Sequence, residues 1–342
     1  MQTNFERFKE IFKKINETKI GLYGDFCLDV YWVLDPRGSE ISLETGLQAH
    51  AVKKQNYSLG GASNVAANIS ALKPKELKLF GIYGSDVFGS EMISQLKSIN
   101  ADIDGFVLQK ENFDSYTFSK LILNGKEQPR IDFGTYNKRS VESDEKLLDN
   151  INNSINDLDI FVINQQVLGS ITNQEFIDGL NEIIKNNSDK IFILDSRHFA
   201  SKFKNVSYKV NNKEALILAN PNEVGKTGLT DKDLENIAKK LFERTNKPVF
   251  ITRGENGILA FDKSGFCETS GIKLNCELDI VGAGDTVFSA IACALGSKCS
   301  LQETIELANL AAAVTVQKLY QTGTANEKEI LDLFEKIIGQ GS

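Results

Sequence analysis

The segment best suited to chemistry comprises residues 279–286, which read DIVGAGDT and directly precede the apolar run VFSAIACALG. Gly282, Ala283 and Gly284 let a ligand approach the backbone closely, and free N–H groups at a helix start bind anions. A carboxylate at Asp285 would repel phosphate if binding phosphate were its only task. It fits instead a base that accepts the proton of a substrate hydroxyl, while the amides stabilise a phosphoryl group.

Three alternative interpretations compete with a phosphoryl-transfer site. An Asp in the first turn of a helix simply complements the helix dipole in many proteins. The glycines begin like a dinucleotide-binding fingerprint, but Val287 stands where its third glycine belongs. Residues 225–227, Gly-Lys-Thr, are similar to the end of a P-loop, but Asn220 occupies the position of its first glycine. Neither of these two nucleotide motifs is therefore expected.

The composition limits the classes of ligand that the chain can bind. The 342 residues are 41% hydrophobic and 25% charged, which is typical of a soluble globular protein and not of a disordered chain. A formal net charge of −7, with no long Lys/Arg run, disfavours nucleic acid as a partner. A small anion such as ATP remains compatible, because a local nest of backbone N–H groups binds phosphate even in an acidic protein.

Cysteines, histidines and the N-terminus predict a cytoplasmic protein without a zinc site. The five cysteines show no C-x-x-C spacing, and neither of the two histidines has a second ligand nearby, so reduced thiols are expected. Residues 1–19 place apolar side chains at helical spacing between charges, which indicates an amphipathic helix rather than a signal peptide. The most apolar stretches are too short or too polar to cross a bilayer, so no membrane partner is expected.

The elements that must position these residues follow a regular α/β pattern. The first clear strand is KIGLYG, Lys19–Gly24, and helix and strand alternate from about residue 143. Strands are predicted at DIFVIN, KIFILDS, LILANP and PVFITRG, which are continuous apolar runs typical of a parallel sheet covered on both faces. We therefore expect one doubly wound, mostly parallel α/β domain over residues 1–342, with ligands beyond the carboxyl ends of the strands.

Two early β-rich insertions, about residues 30–59 and about residues 103–134, interrupt this pattern. The first alternates polar and apolar residues as an exposed strand does, and the second contains Asn124-Gly125, a strong hairpin signal. Together they are predicted to form a small β-sheet that closes over the ligand as a lid. The exposed edges of such a sheet favour a homodimer formed by edge pairing.

Two segments far apart in the chain resemble the PfkB (ribokinase-like) carbohydrate kinase family. Residues 59–66, LGGASNVA, are similar to its N-terminal Gly-Gly signature, and residues 279–290 are similar to its C-terminal signature. The resemblance extends over residues 19–324. It implies a ribokinase-like doubly wound fold with a lid, and phosphoryl transfer from ATP, with Mg²⁺, to a hydroxyl group of a sugar or sugar phosphate.

The resemblance also implies a role for each matching residue. Asp285 corresponds to the catalytic base, and Gly282, Ala283 and Gly284 correspond to the anion hole. The expected acceptor-binding residues are Asp25, Asp29, Gly60, Gly61 and Asn64. The expected nucleotide-binding residues are Asn222, Thr252, Arg253, Gly254, Gly257 and Asn309.

Cation sites are implied by the same resemblance. Asn222 is matched to the Asn of the family's N-x-x-E motif, although Gly225 then stands where its Glu should help to organise hydrated Mg²⁺. Glu223 is the expected substitute for that Glu and would act through water. Asp279 resembles a position close to a K⁺ site in some members of the family.

Within the family, the local sequence is most similar to bacterial heptose-phosphate kinases. GDFCLDVYW, EISLETG and NLAAAVTVQKLYQTGT carry this likeness, and residues 128–132, QPRID, contain an Arg-x-Asp segment. Arg130 is then expected either to pair with a substrate phosphate or to be a surface charge on a lid strand. The likeness is incomplete, because no proline follows EIS and residues 164–166 and 196–198 do not match.

The leading hypothesis is therefore an ATP-dependent sugar or sugar-phosphate kinase. The first alternative is a nucleoside or vitamin kinase of the same fold, which requires an aromatic or apolar stacking surface near Asp25 and Asp29. The second alternative is a non-catalytic sensor of sugar or nucleotide, for which Gly225 is the only support. ATP consumption across a panel of acceptors distinguishes the three.

Overall fold

The computed structural model describes residues 1–171, 173–223, 225, 228–319 and 322–340. Its helices are α1 (Phe5–Ile15), α2 (Ala62–Ala71), α3 (Val87–Ser98), α4 (Val141–Ser154), α5 (Gln174–Asn186), α6 (Asn212–Ala219), α7 (Asp231–Thr245), α8 (Ala283–Gly296), α9 (Leu301–Thr315) and α10 (Glu327–Gln340). Its strands are β1 (Lys19–Gly24), β2 (Phe26–Leu34), β3 (Val52–Gly61), β4 (Glu76–Phe80), β5 (Ile82–Tyr83), β6 (Val107–Leu108), β7 (Tyr116–Leu123), β8 (Lys126–Glu127), β9 (Ile131–Phe133), β10 (Ile160–Gln165), β11 (Ile191–Ser196), β12 (Ser207–Asn211), β13 (Val249–Thr252), β14 (Ile258–Asp262) and β15 (Gly265–Thr269). In this described part of the chain, none of the helices is both long and apolar enough to cross a membrane.

The main sheet has the strand order β15-β14-β13-β12-β11-β10-β1-β4. From β13 to β4 the strands run parallel, and β14 and β15 continue the sheet antiparallel at one edge. The chain passes from β1 to β4 on one side and reaches β10 on the other side, which makes β1 a topological switch point. The carboxyl ends of the parallel strands therefore meet at the edge where such sheets bind ligands.

Helices cover both faces of the main sheet, because its strands are apolar on both sides. On one face Leu22 and Val162 belong to a core shared with α1, α2, α8, α9 and α10. On the other face Tyr23 and Phe161 belong to a core shared with α4, α5, α6 and α7. This arrangement confirms the doubly wound, mostly parallel sheet predicted from the sequence.

A second sheet extends from the carboxyl edge of the main sheet, because only Asp25 separates β1 from β2. β2 pairs antiparallel with β3 and parallel with β7, and β7 also pairs with β8 and β9. Leu28 and Val30 point from one face of β2 into the main core, so Asp29 and Tyr31 lie on its opposite face. β6, at the start of the second β-rich insertion, pairs with β5 and does not join this sheet.

One predicted strand is wrong, because LILANP is the end of α6 and the turn that follows it. The strand at this place in the sheet is β12, which ends at Asn211. The helix begins there because the Asn211 side chain accepts hydrogen bonds from the Lys213 and Glu214 amides, and the Glu214 carboxylate accepts one from the Asn211 amide. This capping box has N-x-x-E spacing and outweighs the apolar run. The corrected strand brings Lys209 and Asn211 to the ligand-binding edge.

Candidate active site

The start of α8 has the geometry of an anion-binding turn. Gly282 precedes the helix with φ = +79°, a left-handed conformation that glycine adopts without strain. In the described part of the chain no side chain caps this helix, so the Gly284 and Asp285 amides point away from any intrahelical acceptor. The Ala283 amide donates to the Ile280 carbonyl at 3.2 Å. The turn thus offers two amides and the positive end of the helix dipole to an anion.

Asp285 lies in the first turn of α8 and is held by Asn64 of α2. Asn64 Nδ2 donates to Asp285 Oδ2 at 2.7 Å, and Asn68 donates to the backbone and side-chain oxygens of Asn64. The Thr286 hydroxyl in turn donates to Asn68 Oδ1 at 2.8 Å. These bonds fix the position of the Asp285 carboxylate between the two helices.

The surroundings of Asp285 give its carboxyl group an unusual pKa. Burial raises the pKa of Asp285 from 3.8 to about 6. The hydrogen bond from Asn64 and the charges of Lys209 and Arg197 lower this pKa, whereas the charge of Asp195 raises it. The carboxylate is therefore mostly ionised at pH 7, yet its pKa is close enough to neutrality for efficient proton acceptance.

Some of the predicted acceptor residues contact one another or Asp285: Asp29 lies beside Gly60, and Asn64 donates to Asp285. Burial, and then the charges of Asp25, Asp29 and Asp285, raise the pKa of the Cys27 thiol in β2. A Cβ on Gly60 would stand 3.1 Å from the carboxyl group of Asp29, so the glycine keeps this region open to a ligand. The charges of all three carboxylates therefore act on one buried thiol.

Asp25 accepts hydrogen bonds from backbone amides of two other segments of the chain. Its Oδ2 accepts hydrogen bonds from the Gln166 and Val167 amides, each at 2.8 Å. Its carbonyl accepts the Ala62 amide at 3.0 Å, and a Cβ on Gly61 would stand 2.7 Å from that carbonyl oxygen. Burial raises the pKa of Asp25, although the bonds to the two amides oppose the increase. The structure thus gives Asp25 a role in fixing loops beside its predicted role in acceptor binding.

Asp29 faces a lysine that the sequence did not reveal. Lys120 Nζ lies 3.1 Å from Asp29 Oδ2 and 3.0 Å from the Tyr31 hydroxyl. The signal that could have found Lys120 is the alternation in YTFSKLIL, which places it on one face of β7 together with Phe118. The β2–β7 register sets Asp29 opposite Phe118 and Tyr31 opposite Lys120.

Arg130, the expected phosphate-binding residue, lies on the same face of the second sheet. Its guanidinium is 4.4 Å from the centre of the Phe118 ring and forms a bidentate ion pair with Asp132, at 2.5 and 2.7 Å. The hydrogen bonds to Asp132, and more weakly the charge of Asp29, raise the pKa of Arg130. Arg130 and Lys120 therefore both border the polar region around Asp29.

A cavity of about 360 Å³ opens beside the start of α8, a volume within the range of small-molecule sites. Ala283, Gly284 and Val287 form the wall that α8 contributes. The lining also contains the predicted nucleotide-binding residues Thr252, Gly254, Gly257 and Asn309, and the apolar side chains of Ile272, Leu274, Leu278 and Val316. An apolar slot that ends at free helix amides suits a purine base and its phosphates.

Gly257 and Asn309 shape the wall of this cavity. Asn309 Nδ2 donates to the Ser270 carbonyl at 2.7 Å, which ties α9 to the loop after β15. Gly257 has φ = +86°, and a Cβ there would stand 2.0 Å from the Thr269 carbonyl oxygen. Only glycine therefore fits at this close approach of two backbone segments.

The side chain of Arg253 is directed away from the cavity. It forms ion pairs with Asp231 of α7 at 2.9 Å and with Glu268 of β15 at 3.0 Å. Its backbone amide donates to the Gly257 carbonyl at 2.8 Å. The Arg253 side chain is therefore engaged in ion pairs, and its predicted place in a nucleotide-binding loop stays a prediction.

The residues first matched to magnesium lie apart from the cavity. Asn222 is exposed, and the turn that contains Asn222 and Glu223 follows α6 and does not line the cavity in the described part of the chain. A second N-x-x-E spacing, from Asn211 to Glu214, lies at the carboxyl end of β12. Within the described residues neither pair lines the cavity, so Asn222 stays the predicted residue, and Asn211 with Glu214 is a second candidate for this motif.

Asp279 closes the turn that leads into α8. Its Oδ1 accepts the Val281 amide at 3.0 Å, and its own amide donates to the Val316 carbonyl at 2.8 Å. Over residues 1–171, 173–223, 225, 228–319 and 322–340, no group of three or more His, Cys, Asp or Glu side chains is arranged to hold a metal ion.

Solved structures of small-molecule kinases share this fold. The chain is similar to ribokinase from Thermotoga maritima, with a TM-score of 0.68 and 17% identity over 93% of this chain and 99% of that chain. It is also similar to phosphofructokinase-2 from Escherichia coli in complex with substrates and products, with a TM-score of 0.72 and 17% identity over 93% and 99% of the two chains. At these identities the likeness establishes the fold, which is the ribokinase-like class expected from the sequence.

The sequence matches the family model described as pfkB family carbohydrate kinase over residues 22–328. This match includes both glycine-rich segments and Asp285. The chain therefore belongs to the pfkB family of carbohydrate kinases. This membership confirms the family expected from the sequence.

Curated relatives share a name and are longer than this chain. "Bifunctional protein HldE" of Campylobacter curvus is 29% identical over 323 residues, which cover 93% of this chain and 65% of the relative. The protein of the same name from Aliarcobacter butzleri is 31% identical over 301 residues, which cover 86% of this chain and 60% of the relative. The chain thus spans less than two thirds of the length of these relatives. They agree with the likeness to heptose-phosphate kinases predicted from the sequence.

Proposed function

We propose that this protein transfers the γ-phosphoryl group of ATP to a hydroxyl group of a sugar or sugar phosphate, with heptose phosphates as the leading candidates. Asp285 acts as the base. The turn formed by Gly282, Ala283 and Gly284 binds the phosphoryl group during transfer. The nucleotide occupies the cavity bordered by Asn309, and the acceptor lies under the second sheet.

One observation carries this proposal: Asp285 lies between the nucleotide cavity and the acceptor side of the site. Its helix start borders the nucleotide cavity, and its carboxylate accepts the hydrogen bond of Asn64 at 2.7 Å on the acceptor side. A base between a nucleotide cavity and a polar acceptor pocket stands where an attacking hydroxyl must lose its proton.

The reaction balances with the groups that the chain supplies. The acceptor oxygen attacks the γ-phosphorus, the bond to the oxygen that bridges the β- and γ-phosphates breaks, ADP leaves, and the hydroxyl proton passes to Asp285. Glu214 or Glu223, acting through water, would help the phosphates to hold Mg²⁺, which would offset the charge of the leaving group. Asp279, at the turn before α8, is the proposed residue near K⁺. The second sheet closes over the acceptor and excludes water, which would otherwise compete as an acceptor.

The acceptor side favours a sugar over a nucleoside. Asp29, Lys120 and Tyr31 form a polar surface there, and a carboxylate accepts hydrogen bonds from two hydroxyl groups at once. The Arg130 guanidinium covers one face of the Phe118 ring, where a nucleobase would otherwise stack. Lys120 and Arg130 also supply cationic donors for a phosphate ester, which supports a sugar phosphate as acceptor.

ATP consumption with a panel of sugars, sugar phosphates, nucleosides and vitamin alcohols tests the proposal. We expect Mg²⁺-dependent turnover with sugar-type acceptors and the highest kcat/KM with a phosphorylated sugar. The Asp285→Asn variant, purified in parallel, controls for contaminating kinases. Turnover confined to nucleosides or vitamins, or absent with every sugar, would contradict the proposal.

We also propose a cytoplasmic location and a homodimer formed through the second sheet. β3 lies at the edge of that sheet, and the connection from β2 to β3 exposes the apolar side chains of Ile41, Leu43 and Leu47. A second copy of the chain would cover this apolar edge by pairing with it. All five cysteines are free thiols, which fits a reducing compartment.

A further inference from the structure

Lys209 of β12 and Asp195 of β11 form a buried ion pair on the sheet face that carries α8. Their N–O distance is 2.6 Å, and the two side chains are only 8% and 7% exposed. On the same face, Ile193 and Phe250 belong to the apolar core, while Asn164 of β10, opposite Asp195, is polar and buried. Replacing a buried ion pair by apolar residues is often neutral or stabilising, so stability alone does not explain the two charges.

The ammonium group of Lys209 reaches the anion-binding turn. Its Nζ lies 3.5 Å from the point where a Cβ would stand on Gly284. Within the described residues, Asp195 is the one group that accepts a hydrogen bond from this ammonium, which has three N–H donors. Lys209 therefore has donor capacity directed to the place where an anion bound by the Gly284 amide would lie.

Asp195 fixes Lys209 in this position. Its Oδ1 accepts Gln166 Nε2 at 3.3 Å, while its Oδ2 accepts Lys209 Nζ at 2.6 Å. Burial lowers the pKa of Lys209, but the charges of Asp195, Glu214 and Asp285 outweigh burial and raise the pKa overall. Lys209 is therefore cationic at neutral pH.

We propose that Lys209 is a catalytic residue that donates hydrogen bonds to the γ-phosphoryl group of ATP during transfer, and that Asp195 is its positioning residue. This inference rests on the proposed kinase activity and adds a cation to the amides at the start of α8. The ammonium offsets the charge on the phosphoryl oxygens while the bond to ADP breaks and the bond to the acceptor forms. Asp195 also keeps Lys209 from forming an ion pair with Asp285, which must stay free to accept a proton.

The two members of the ion pair change the pKa of Asp285 in opposite directions. Burial is the main cause of the raised pKa of Asp285, but Lys209 lowers this pKa and Asp195 raises it. The other groups that act on or lie beside this carboxylate are Asn64, Arg197 and Cys27. Removing one member of the ion pair should therefore move the acid limb of the pH profile in a direction that depends on which member is removed.

Nucleotide affinity is the first test, measured by titration calorimetry with ATP and with ADP. In Lys209→Gln we expect the affinity for ATP to fall about ten- to hundredfold and the affinity for ADP to change little, because only ATP carries the γ-phosphoryl group. We expect kcat with the best acceptor to fall about 10²- to 10³-fold. Equal losses for ATP and ADP would overturn the inference.

The pH dependence of kcat/KM is the second test, because a purely structural pair would not move it. We expect the acid limb to shift to higher pH in Lys209→Gln and to lower pH in Asp195→Asn. Shifts in the same direction, or no shift in either variant, would overturn the proposed roles.

Two further proteins keep the inference testable if a single variant does not fold. The double variant Lys209→Gln with Asp195→Asn leaves no lone buried charge, and it should fold and show the same selective loss of ATP affinity. Arg7→Met breaks an ion pair of the same 2.6 Å length, between Arg7 and Glu303, and should leave the ratio of ATP to ADP affinity unchanged. An unchanged ratio in the double variant would overturn the inference. A wild-type protein that binds ATP tightly but phosphorylates no sugar would contradict the kinase proposal alone.

Discussion

Replacing Asp285 by asparagine removes the charge of this side chain and keeps its shape. The amide retains an oxygen that accepts the Asn64 hydrogen bond, so the contacts between α2 and α8 stay in place. The variant loses the carboxylate that we propose as the base. We expect kcat to fall about 10²- to 10⁴-fold, the usual contribution of a general base, with little change in ATP affinity.

The same substitution is expected to stabilise the folded protein at neutral pH. Burial raises the pKa of Asp285 from 3.8 to about 6, so between these pH values the folded protein retains a proton that the unfolded chain has lost. The wild-type free energy of unfolding therefore decreases as the pH rises through this window. Above it, the ionised carboxylate costs up to about 3 kcal/mol, an upper bound because the side chain is partly exposed.

Urea unfolding of both proteins from pH 3.5 to 8 measures this cost beside the kinase assay. The free energy of unfolding of Asp285→Asn, minus that of the wild type, should increase from about pH 4 to about pH 6 and then stay constant. Asp332→Asn, at an exposed position of α10, is the matched control and should change neither stability nor kcat. Wild-type turnover in Asp285→Asn, or a stability difference that is independent of pH, would refute the reasoning.

Three further predictions concern the turn before α8, the acceptor side and the second sheet. Gly282→Ala should lower the free energy of unfolding in urea by about 1–3 kcal/mol, because φ = +79° strains alanine and its Cβ would stand 3.1 Å from Asn64 Nδ2. Gly284→Ala, whose Cβ has only an ordinary contact, should cost less. Lys120→Met should raise KM for a phosphorylated acceptor about tenfold or more in initial-rate assays, with KM for ATP unchanged. An equal increase in KM for an unphosphorylated sugar would argue against phosphate binding by Lys120. Leu43→Asp should convert the dimer to a monomer in sedimentation velocity, whereas a persistent dimer would place the interface elsewhere.

Elements with a strong local pattern could be predicted from the sequence. KIGLYG is β1, Lys19–Gly24, and the glycines before VFSAIACALG mark the start of α8 at Ala283. The alternating segment QAHAVKKQNYS contains most of β3. In each case the signal is a spacing within one element, and no contact with a distant part of the chain is needed to interpret it.

The region from β12 to α6 could not be predicted from hydrophobicity, because SYKVN is a short strand and LILANP imitates one. Its capping box, Asn211 with Glu214, was the available local signal. The ion pair between Lys209 and Asp195 could not be predicted from the sequence for another reason. It depends on β11 and β12 being neighbours in the sheet, and one sequence does not supply the strand order.

The two glycine-rich segments meet in a hydrogen-bond chain with a single direction. The Thr286 hydroxyl donates to Asn68 Oδ1, Asn68 Nδ2 donates to Asn64 Oδ1, and Asn64 Nδ2 donates to Asp285 Oδ2. Because each amide oxygen already accepts a bond, each NH₂ group must point onward, and the chain ends on the carboxylate as an acceptor. Oδ2 of Asp285 already accepts this bond, so we expect Oδ1 to receive the proton of the substrate hydroxyl.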